Sequence, residues 1–280
     1  MKVTPDPGQL PYLLRLLDDD SPDVRGVVMS QFAAFGDSLE DLLRNVALPE
    51  HPGQRRLIQS LLREGRRRRL SAGWAGLGAV EGDKARLEAG QELISRFLRT
   101  DASAGILPAA LDELAREFRG GLYEQDALAL SEFLFQIKGL AGAREAYYSP
   151  GNSDLLQVIT KREGLPISLV CIYMLVAHRL GMSVEGCNLP GHFLALALHG
   201  GRKFVVDCYS GGIVLLDSDL ARLSSAAPVM TTDLTALECD ARVILARVLR
   251  NLGAAFRRCE DEQAAQDAAL VDQLAAAGIP

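Results

Sequence analysis

The stretch that most constrains this chain is LPISLVCIYMLVAHRLG, residues 165–181. Pro166 stands where the first turn of a helix accepts a residue without an N–H, and Gly181 follows the last turn, where glycine often ends a helix. Between them almost every residue is apolar, so this helix has no face that is suited to water. The sequence therefore predicts a helix buried on all sides, and a fold whose other elements cover it.

Three short runs typical of β-strands follow this helix, namely MSVEGCN, GHFLALALHG and KFVVDCY. GGIVLLD then adds a further extended piece. Gly200-Gly201 lies between the second and third runs, as expected of a tight hairpin turn. We predict a three-stranded antiparallel meander that packs on the buried helix.

Helical patterns dominate the remaining chain. Apolar residues recur at intervals of three and four from 84 to 146, and similar patterns fill about the first 45 residues and residues 238–262. DLLQVITKREG predicts a helix ending at Gly164, whereas AGWAGLGAVEGD, at 72–83, predicts a connector because it is rich in glycine and alanine. The predicted fold class is α+β, mostly helical, with a small antiparallel sheet packed on a buried helix.

Composition argues against several classes of protein. The formal net charge of -6 gives no whole-chain case for nucleic-acid binding. No apolar run reaches the ~18 residues that predict a membrane span, and the N-terminus has Pro, Asp and Gly where a signal peptide is apolar. The five cysteines are widely spaced without a C-x-x-C pair, so we expect mostly buried, reduced thiols. These features predict a cytoplasmic protein.

Two sets of charged residues have ordinary explanations. Seven arginines crowd one segment, and we expect them on a solvated helix face or exposed loop, because no aromatic residues interleave them: Arg55, Arg56, Arg63, Arg66, Arg67, Arg68 and Arg69. Four glutamates occur in pairs spaced four apart, and we expect all of them to face solvent: Glu88, Glu92, Glu113 and Glu117.

Ser168, His192 and Asp207 are the candidate chemical group. Ser168 lies at the N-terminus of the buried helix, where main-chain N–H groups favour negative charge. Pairing about the Gly200-Gly201 turn puts position 192 opposite roughly 209, so Asp207 is within a diagonal step of His192. An aspartate that accepts from one imidazole nitrogen leaves the other free to act as a base. Gly191 before His192 predicts a turn or bulge at Pro190-Gly191 that aims the ring toward the helix.

These segments resemble the core of the transglutaminase-like superfamily, through G-x-P-x-S-L at the helix start, P-G-H-F, and a strand ending in Asp before Gly-Gly. The resemblance is closest to the bacterial SirB-type branch and covers roughly residues 84–262. It implies a papain-like Cys-His-Asp triad, with His192 at the histidine and Asp207 at the aspartate. The cysteine position falls on or near Ser168, where this chain departs from the catalytic pattern.

The resemblance also implies a domain organisation. Residues 84–235 correspond to a transglutaminase-like domain, with a helical part at 84–148 and the core at 149–220. Residues 238–280 correspond to a C-terminal helical tail, which is tetratricopeptide-like in that branch. The first 72 residues fall outside the resemblance, and DDDSPDVR is similar to a HEAT-type repeat, so we expect a helical N-terminal module.

Two functions stay open at this point. In the first, the protein has lost the thiol and acts as a non-catalytic binding or regulatory protein. In the second, it is a hydrolase or acyltransferase that uses Ser168 or Cys171 with His192 and Asp207. Cys171 lies one helical turn beyond Ser168, deeper in an apolar helix where a thiolate is disfavoured, and Cys187 is a weaker candidate near the cleft.

We expect another protein or a peptide as the partner, and neither nucleic acid nor a membrane. We expect no cofactor. His178, His192 and His199 fit neither the H-x-x-x-H nor the H-x-H spacing, so we expect no metal.

Overall fold

The computed structural model describes residues 6–43, 46, 49, 51–100, 103–189, 191–216, 218–220 and 238–279. The chain separates into two compact units, Met1–Gly73 and Trp74–Pro280. Pro190 of the predicted turn lies outside the described residues, as do residues 221–235 at the end of the predicted transglutaminase-like domain. The predicted division into three parts stays a prediction.

The first unit is helical. Its helices are α1 (Leu10–Arg15), α2 (Pro22–Ala34), α3 (Leu39–Leu43) and the larger part of α4 (Pro52–Gly76). Ser21 precedes α2 in an extended conformation, and Pro22 takes the first position, where a helix accepts a residue without an N–H. Its core is a single cluster of buried apolar side chains: Leu10, Leu13, Leu14, Leu17, Val28, Phe32, Phe35, Leu39, Leu43 and Ile58.

The prediction that the arginine run forms a solvated face is wrong for part of the run. Glu40 on α3 is buried, and its carboxylate lies 3.7 Å from Arg66 Nη1 and 3.3 Å from Arg69 Nη1. Arg67 is also buried, whereas Arg68 is exposed. An arginine can bury its aliphatic stem while its guanidinium pairs with a carboxylate. Consecutive arginines of this helix can therefore differ in exposure.

The segment AGWAGLGAVEGD is not the simple connector that its composition predicts. Helix α4 continues to Gly76, a 3-10 turn covers Leu77–Ala79, and Trp74 and Leu77 are both buried. Trp74 Nε1 donates a hydrogen bond to the main-chain oxygen of Gly278 at 3.2 Å. Burial of the large indole anchors this stretch despite its glycines.

The second unit contains the remaining helices. They are α5 (Asp83–Leu98), α6 (Ile106–Gly120), α7 (Ala127–Glu132), α8 (Leu155–Lys161), α9 (Pro166–Arg179), α10 (Ala241–Phe256) and α11 (Glu262–Ala277). A π-turn, Phe133–Ile137, extends α7. Helix α8 ends at Lys161, three residues before the predicted Gly164, because Arg162 turns left-handed. No helix within the described ranges is long and apolar enough to cross a membrane.

Helix α9 is buried on all sides, as predicted. Every residue from Ile167 to Ala177 is no more than 1% exposed. Helices α5, α6, α7, α8 and α10 and strands β3 (Val184–Cys187) and β4 (Leu194–His199) all contact it. The apolar sequence of α9 thus sets the centre of the second unit.

The main sheet has five antiparallel strands in the order β6-β5-β4-β3-β7. Beside β3 and β4 it contains β5 (Arg202–Asp207), β6 (Ile213–Leu215) and β7 (Glu238–Cys239). Gly200 and Gly201 have φ of 56° and 77° and form the predicted hairpin turn, since a primed turn needs positive φ at both positions. The α+β fold class is confirmed.

Two short strand pairings were not predicted. Glu238–Cys239 pairs with β3, so α10 begins at Ala241 rather than at 238. Ala141–Gly142 (β1) pairs in parallel with Glu163–Gly164 (β2). Two-residue strands have too little sequence for a period-two pattern, and their partners are distant along the chain.

The prediction that Glu88 faces solvent is wrong. Arg179, at the end of α9, places Nη1 2.6 Å and Nη2 2.8 Å from the two carboxylate oxygens of Glu88. Its Nε lies 2.5 Å from Asp112 Oδ1. One guanidinium therefore ties α9 to both α5 and α6, in a bidentate geometry available only to arginine. Glu113 is exposed, as predicted.

We predict that Gly90→Ala destabilises the second unit. A Cβ atom at Gly90 of α5 would lie 2.5 Å from Leu245 Cδ1 of α10, and Leu245 is fully buried. Such overpacking costs about 1–3 kcal/mol, which outweighs the roughly 1 kcal/mol that alanine gains over glycine within a helix. Urea unfolding followed by circular dichroism measures the difference. Gly120→Ala, where a Cβ meets open space, is the control and should not destabilise; equal free energies for both variants would contradict the close packing of α5 on α10.

Candidate functional site

Ser168 lies in the first turn of α9 and is fully buried. Its Oγ donates a hydrogen bond to the main-chain oxygen of Asn152 at 2.7 Å. The same oxygen lies 3.5 Å from the main-chain nitrogen of Leu165. The hydroxyl thus holds the turn Pro150–Ser153 against the start of the helix.

Asn152 completes this junction. Its side chain is buried, and Nδ2 donates to the main-chain oxygens of Ala146 at 2.6 Å and Tyr147 at 3.0 Å. The loop before α8 is therefore held by the amide of Asn152 on one side and the hydroxyl of Ser168 on the other. The buried side chains of Ser168 and Asn152 therefore both have hydrogen-bond partners, as is usual for buried polar groups.

Cys171, one turn further along α9, is also fully buried. Gln91 Nε2 of α5 lies 3.5 Å from its Sγ and donates to it. Burial raises the pKa of the Cys171 thiol to about 12, and the hydrogen bond from Gln91 offsets only part of that effect. At neutral pH the group is therefore a thiol, which is a poor nucleophile.

His192 lies two residues before β4, and Asp207 is the last residue of the neighbouring strand β5. The register pairs Ala195 with Val206, and its continuation places His192 opposite Tyr209, as the hairpin turn predicts. Gly191 has φ of 81°, which fits the predicted turn, and the main-chain nitrogen of His192 donates to Leu189 O at 2.9 Å. The backbone geometry expected around the histidine is present.

The carboxylate of Asp207 is engaged locally. Its Oδ1 accepts from the main-chain nitrogen of Ser210 at 3.1 Å, and its Oδ2 accepts from Ser210 Oγ at 2.7 Å. Among the described residues no hydrogen bond joins Asp207 to His192, so their pairing stays a prediction. Aspartate side chains commonly accept hydrogen bonds from residues a few positions later in the chain, and Asp207 does so with Ser210 instead of a more distant partner.

Alternation along β5 indicates which face of the sheet carries Asp207. Asp207 shares the face of Val205, which packs in a cluster with Cys187, Leu194 and Leu196. Cys208, the next residue, is fully buried near α9, where it contributes to the raised pKa of Tyr173. The face that carries Asp207 is therefore the one turned away from α9.

The remaining cysteines are free thiols. Cys187, Cys208 and Cys239 are buried and Cys259 is exposed. Burial raises the pKa of Cys187 to about 11 and that of Cys239 to about 12. Within the described part of the chain no group of His, Cys, Asp and Glu residues could hold a metal ion.

Asp154 is a buried carboxyl group that sequence reasoning missed. It is the N-cap of α8, and its Oδ1 accepts from Ser95 Oγ at 2.6 Å and from the main-chain nitrogen of Leu156 at 3.1 Å. Its Oδ2 lies 3.7 Å from Arg99 Nη1. Desolvation raises the pKa of Asp154, with the Ser95 hydrogen bond and Arg99 acting in the opposite direction. The sequence signal for the cap is Asp154 directly before LLQVI, but nothing local indicates its burial.

Comparison with known proteins bears on the second unit. Residues 107–250 match the family model described as "Transglutaminase-like superfamily". A UPF0162 protein of Xylella fastidiosa (strain Temecula1) is 31% identical over 194 residues, which cover 65% of this chain and 69% of that protein. The chain belongs to the transglutaminase-like superfamily and to its UPF0162 family. The resemblance to the SirB-type branch is thereby confirmed.

Further relatives share shorter segments. A UPF0162 protein of Vibrio cholerae is 33% identical over 98 residues, or 33% of this chain and 36% of that protein. The F-box only protein 21 of Mus musculus is 35% identical over 81 residues, which are 29% of this chain and 13% of that protein. No solved structure matches the chain.

We predict that Asp154→Asn removes a pH-dependent component of stability. Because the folded state raises the pKa of Asp154 above its ordinary value of 3.8, it holds a proton that the unfolded chain has already released. The contribution of this carboxyl group to the free energy of unfolding is therefore complete below pH 3.8, and it is lost as pH rises through the raised pKa of the folded state. Urea unfolding of both proteins over a pH series should show the free-energy difference shifting in favour of the asparagine variant as pH rises.

Asp240→Asn, at the exposed N-cap of α10, is the matched control. Wild-type and Asp154→Asn curves that stay parallel over the whole series would contradict the role assigned to Asp154.

Proposed function

We propose that this protein is a non-catalytic binding protein built on a transglutaminase-like domain. The observation that carries the proposal is the hydrogen bond of 2.7 Å from Ser168 Oγ to the main-chain oxygen of Asn152, inside the core. A hydroxyl that is fully buried and already donating its proton to the protein cannot approach a substrate. At the position where the superfamily resemblance implies a thiol, this side chain performs a structural task.

The other candidate groups support the same conclusion. Cys171 is fully buried with a pKa of about 12, far above the range of about 3.5–7.5 that activated thiols reach. Asp207 accepts two hydrogen bonds from Ser210, on the sheet face turned away from α9. A nucleophile, a base and an orienting carboxylate in mutual reach are required for acyl transfer.

The helical parts are proposed as the source of partner contacts. α1 to α3 form short helices around one apolar cluster, in keeping with the HEAT-like module predicted for residues 1–72. α10 and α11 pack together as a pair, in keeping with a tetratricopeptide-like tail. Modules of this kind present helix surfaces to other proteins. We therefore propose a protein or peptide partner in the cytoplasm.

We predict that Ser168→Ala destabilises the protein by about 1–3 kcal/mol, because the main-chain oxygen of Asn152 loses its hydroxyl donor inside the core. Equilibrium unfolding in urea measures the change. Ser183→Ala, an exposed serine, is the control and should stay within about 0.5 kcal/mol of the wild type. If the Ser168→Ala protein were as stable as the wild type, the structural role assigned to the Ser168 hydroxyl would be wrong.

We predict that reactive probes leave the candidate nucleophiles unmodified. Iodoacetamide should label native protein rapidly at exposed Cys259 alone, and a fluorophosphonate should not acylate Ser168, with labelled sites read by mass spectrometry of peptides. Ser168→Cys should add no fast-labelling site, because that position is buried. Cys259→Ser is the control that should abolish fast labelling.

Rapid, pH-dependent labelling of Cys171 that His192→Ala abolishes would overturn the proposal in favour of a hydrolase or acyltransferase. Acylation of Ser168 that depends on His192 would do the same.

A further inference from the structure

A cluster of tyrosines and arginines lies beside the candidate site and plays no part in it. We call it the tyrosine–arginine patch, and its members are Tyr147, Tyr148, Tyr209, Arg247 and Arg258. The rings of Tyr147 and Tyr148 have centroids 5.1 Å apart, and those of Tyr147 and Tyr209 are 6.4 Å apart. The guanidinium of Arg258 lies 3.6 Å from the centroid of the Tyr148 ring. The three tyrosines and Arg258 therefore form one continuous set of contacts.

The patch is held on a rigid base. Tyr209 donates from its hydroxyl to the main-chain oxygen of Ala143 at 2.8 Å, and its ring lies so close to Gly142 that a Cβ there would meet it at 2.3 Å. Arg247 on α10 stacks at 5.2 Å on Phe193, the residue after His192, and donates to Asn188 Oδ1. Desolvation raises the pKa of the Tyr147 phenol, and the charge of Arg247 acts in the opposite direction.

The two arginines of the patch lack carboxylate partners in the described part of the chain. Arg247 donates a hydrogen bond to the amide oxygen of Asn188 and stacks on the ring of Phe193. Arg258 donates to the main-chain oxygen of Ala254 and stacks on the ring of Tyr148. Arg179 and Arg257 of the same unit do pair with aspartate or glutamate. Arg247 is also partly buried, and desolvation lowers its pKa. A partly buried cation without a counter-charge is costly, which favours an anionic ligand.

We propose that the tyrosine–arginine patch binds an acidic segment of a partner protein, through carboxylates that pair with Arg247 and Arg258. This proposal rests on the binding function proposed above and names the chemistry of the partner. The guanidinium fork matches a carboxylate in geometry, and the exposed rings of Tyr147 and Tyr148 offer apolar area around it. Tyrosine and arginine are also the residue types that most often dominate protein interfaces.

Charge favours an acidic peptide over nucleic acid as the occupant. The whole chain has a formal net charge of -6, so it offers no broad positive field for a phosphate backbone. A local pair of arginines in an acidic protein is suited to a few carboxylates at defined positions.

The test uses full-length protein and a fluorescein-labelled peptide of alternating Glu and Ala, with fluorescence anisotropy as the measurement. The peptide should bind the wild-type protein, and a matched peptide with Gln in place of Glu should bind at least roughly tenfold more weakly. Arg247→Gln and Arg258→Gln should each weaken binding by roughly tenfold or more, as loss of a charged hydrogen bond predicts. Arg258 is exposed, so its variant keeps the test valid even if Arg247→Gln does not fold.

Arg202→Gln is the matched control. Arg202 also stacks on an aromatic ring, that of Phe204 at 5.8 Å, but it stands at the far end of β5 from Tyr209. Its loss should leave binding unchanged. No binding of the Glu peptide, equal binding of the Gln peptide, or equal losses in all three variants would overturn the proposal.

Binding of a single-stranded oligonucleotide that Arg247→Gln and Arg258→Gln abolish, without binding of the Glu peptide, would also overturn it. These outcomes are independent of the probes of Ser168 and Cys171. A failed peptide experiment with both groups unmodified removes the acidic partner and leaves the non-catalytic function standing, whereas modification of either group removes that function.

Discussion

Burial of α9 on all sides is the constraint from which the second unit follows. An apolar helix of this kind has to be covered by other elements, and here the sheet covers one side while helices, among them α5, α6 and α8, cover the others. The charged end of the helix cannot join the core, so Arg179 pairs with Glu88 and Asp112 where α9 reaches the surface. The same burial decides the chemistry of the residues on α9, because Ser168 and Cys171 are inside the covering layers.

The contrast between the core and the edge of the sheet explains where binding chemistry remains. Inside, the polar side chains of Ser168 and Asn152 form hydrogen bonds that hold the protein together. At the edge, Tyr147 and Tyr148 have exposed rings, and Arg247 and Arg258 meet rings instead of carboxylates. Under the function proposed above, this domain would act through a recognition surface and without a buried nucleophile, since the two depend on different residues.

What the sequence predicted well was local. The apolar run of α9 and the Gly200-Gly201 hairpin carry their signals in consecutive residues, and the hairpin also gave the correct register of β4 against β5. The hydrogen-bond partner of the Asp207 carboxylate could not be predicted in this way, because Ser210, only three residues away, competes with His192 for it.

Other features depend on residues that are distant in the chain. Nothing near Glu40 indicates that Arg66 and Arg69 come to it from another helix, and nothing in AGWAGLGAVEGD indicates that Trp74 meets Gly278. The patch around Arg247 combines residues from three separate segments. Single-sequence patterns describe the faces of elements, but they do not describe which faces meet.

The contact between Trp74 and Gly278 has a consequence for synthesis of the chain. The indole that begins the second unit finds its hydrogen-bond partner more than two hundred residues later, and α5 packs against α10 across a similar stretch of sequence. On the ribosome, α5 and α9 would emerge long before α10, which packs on both, with apolar surface open to other chains. The second unit closes only when its last two helices have left the exit tunnel, so nascent chains of this protein should depend on chaperones more than its size alone suggests.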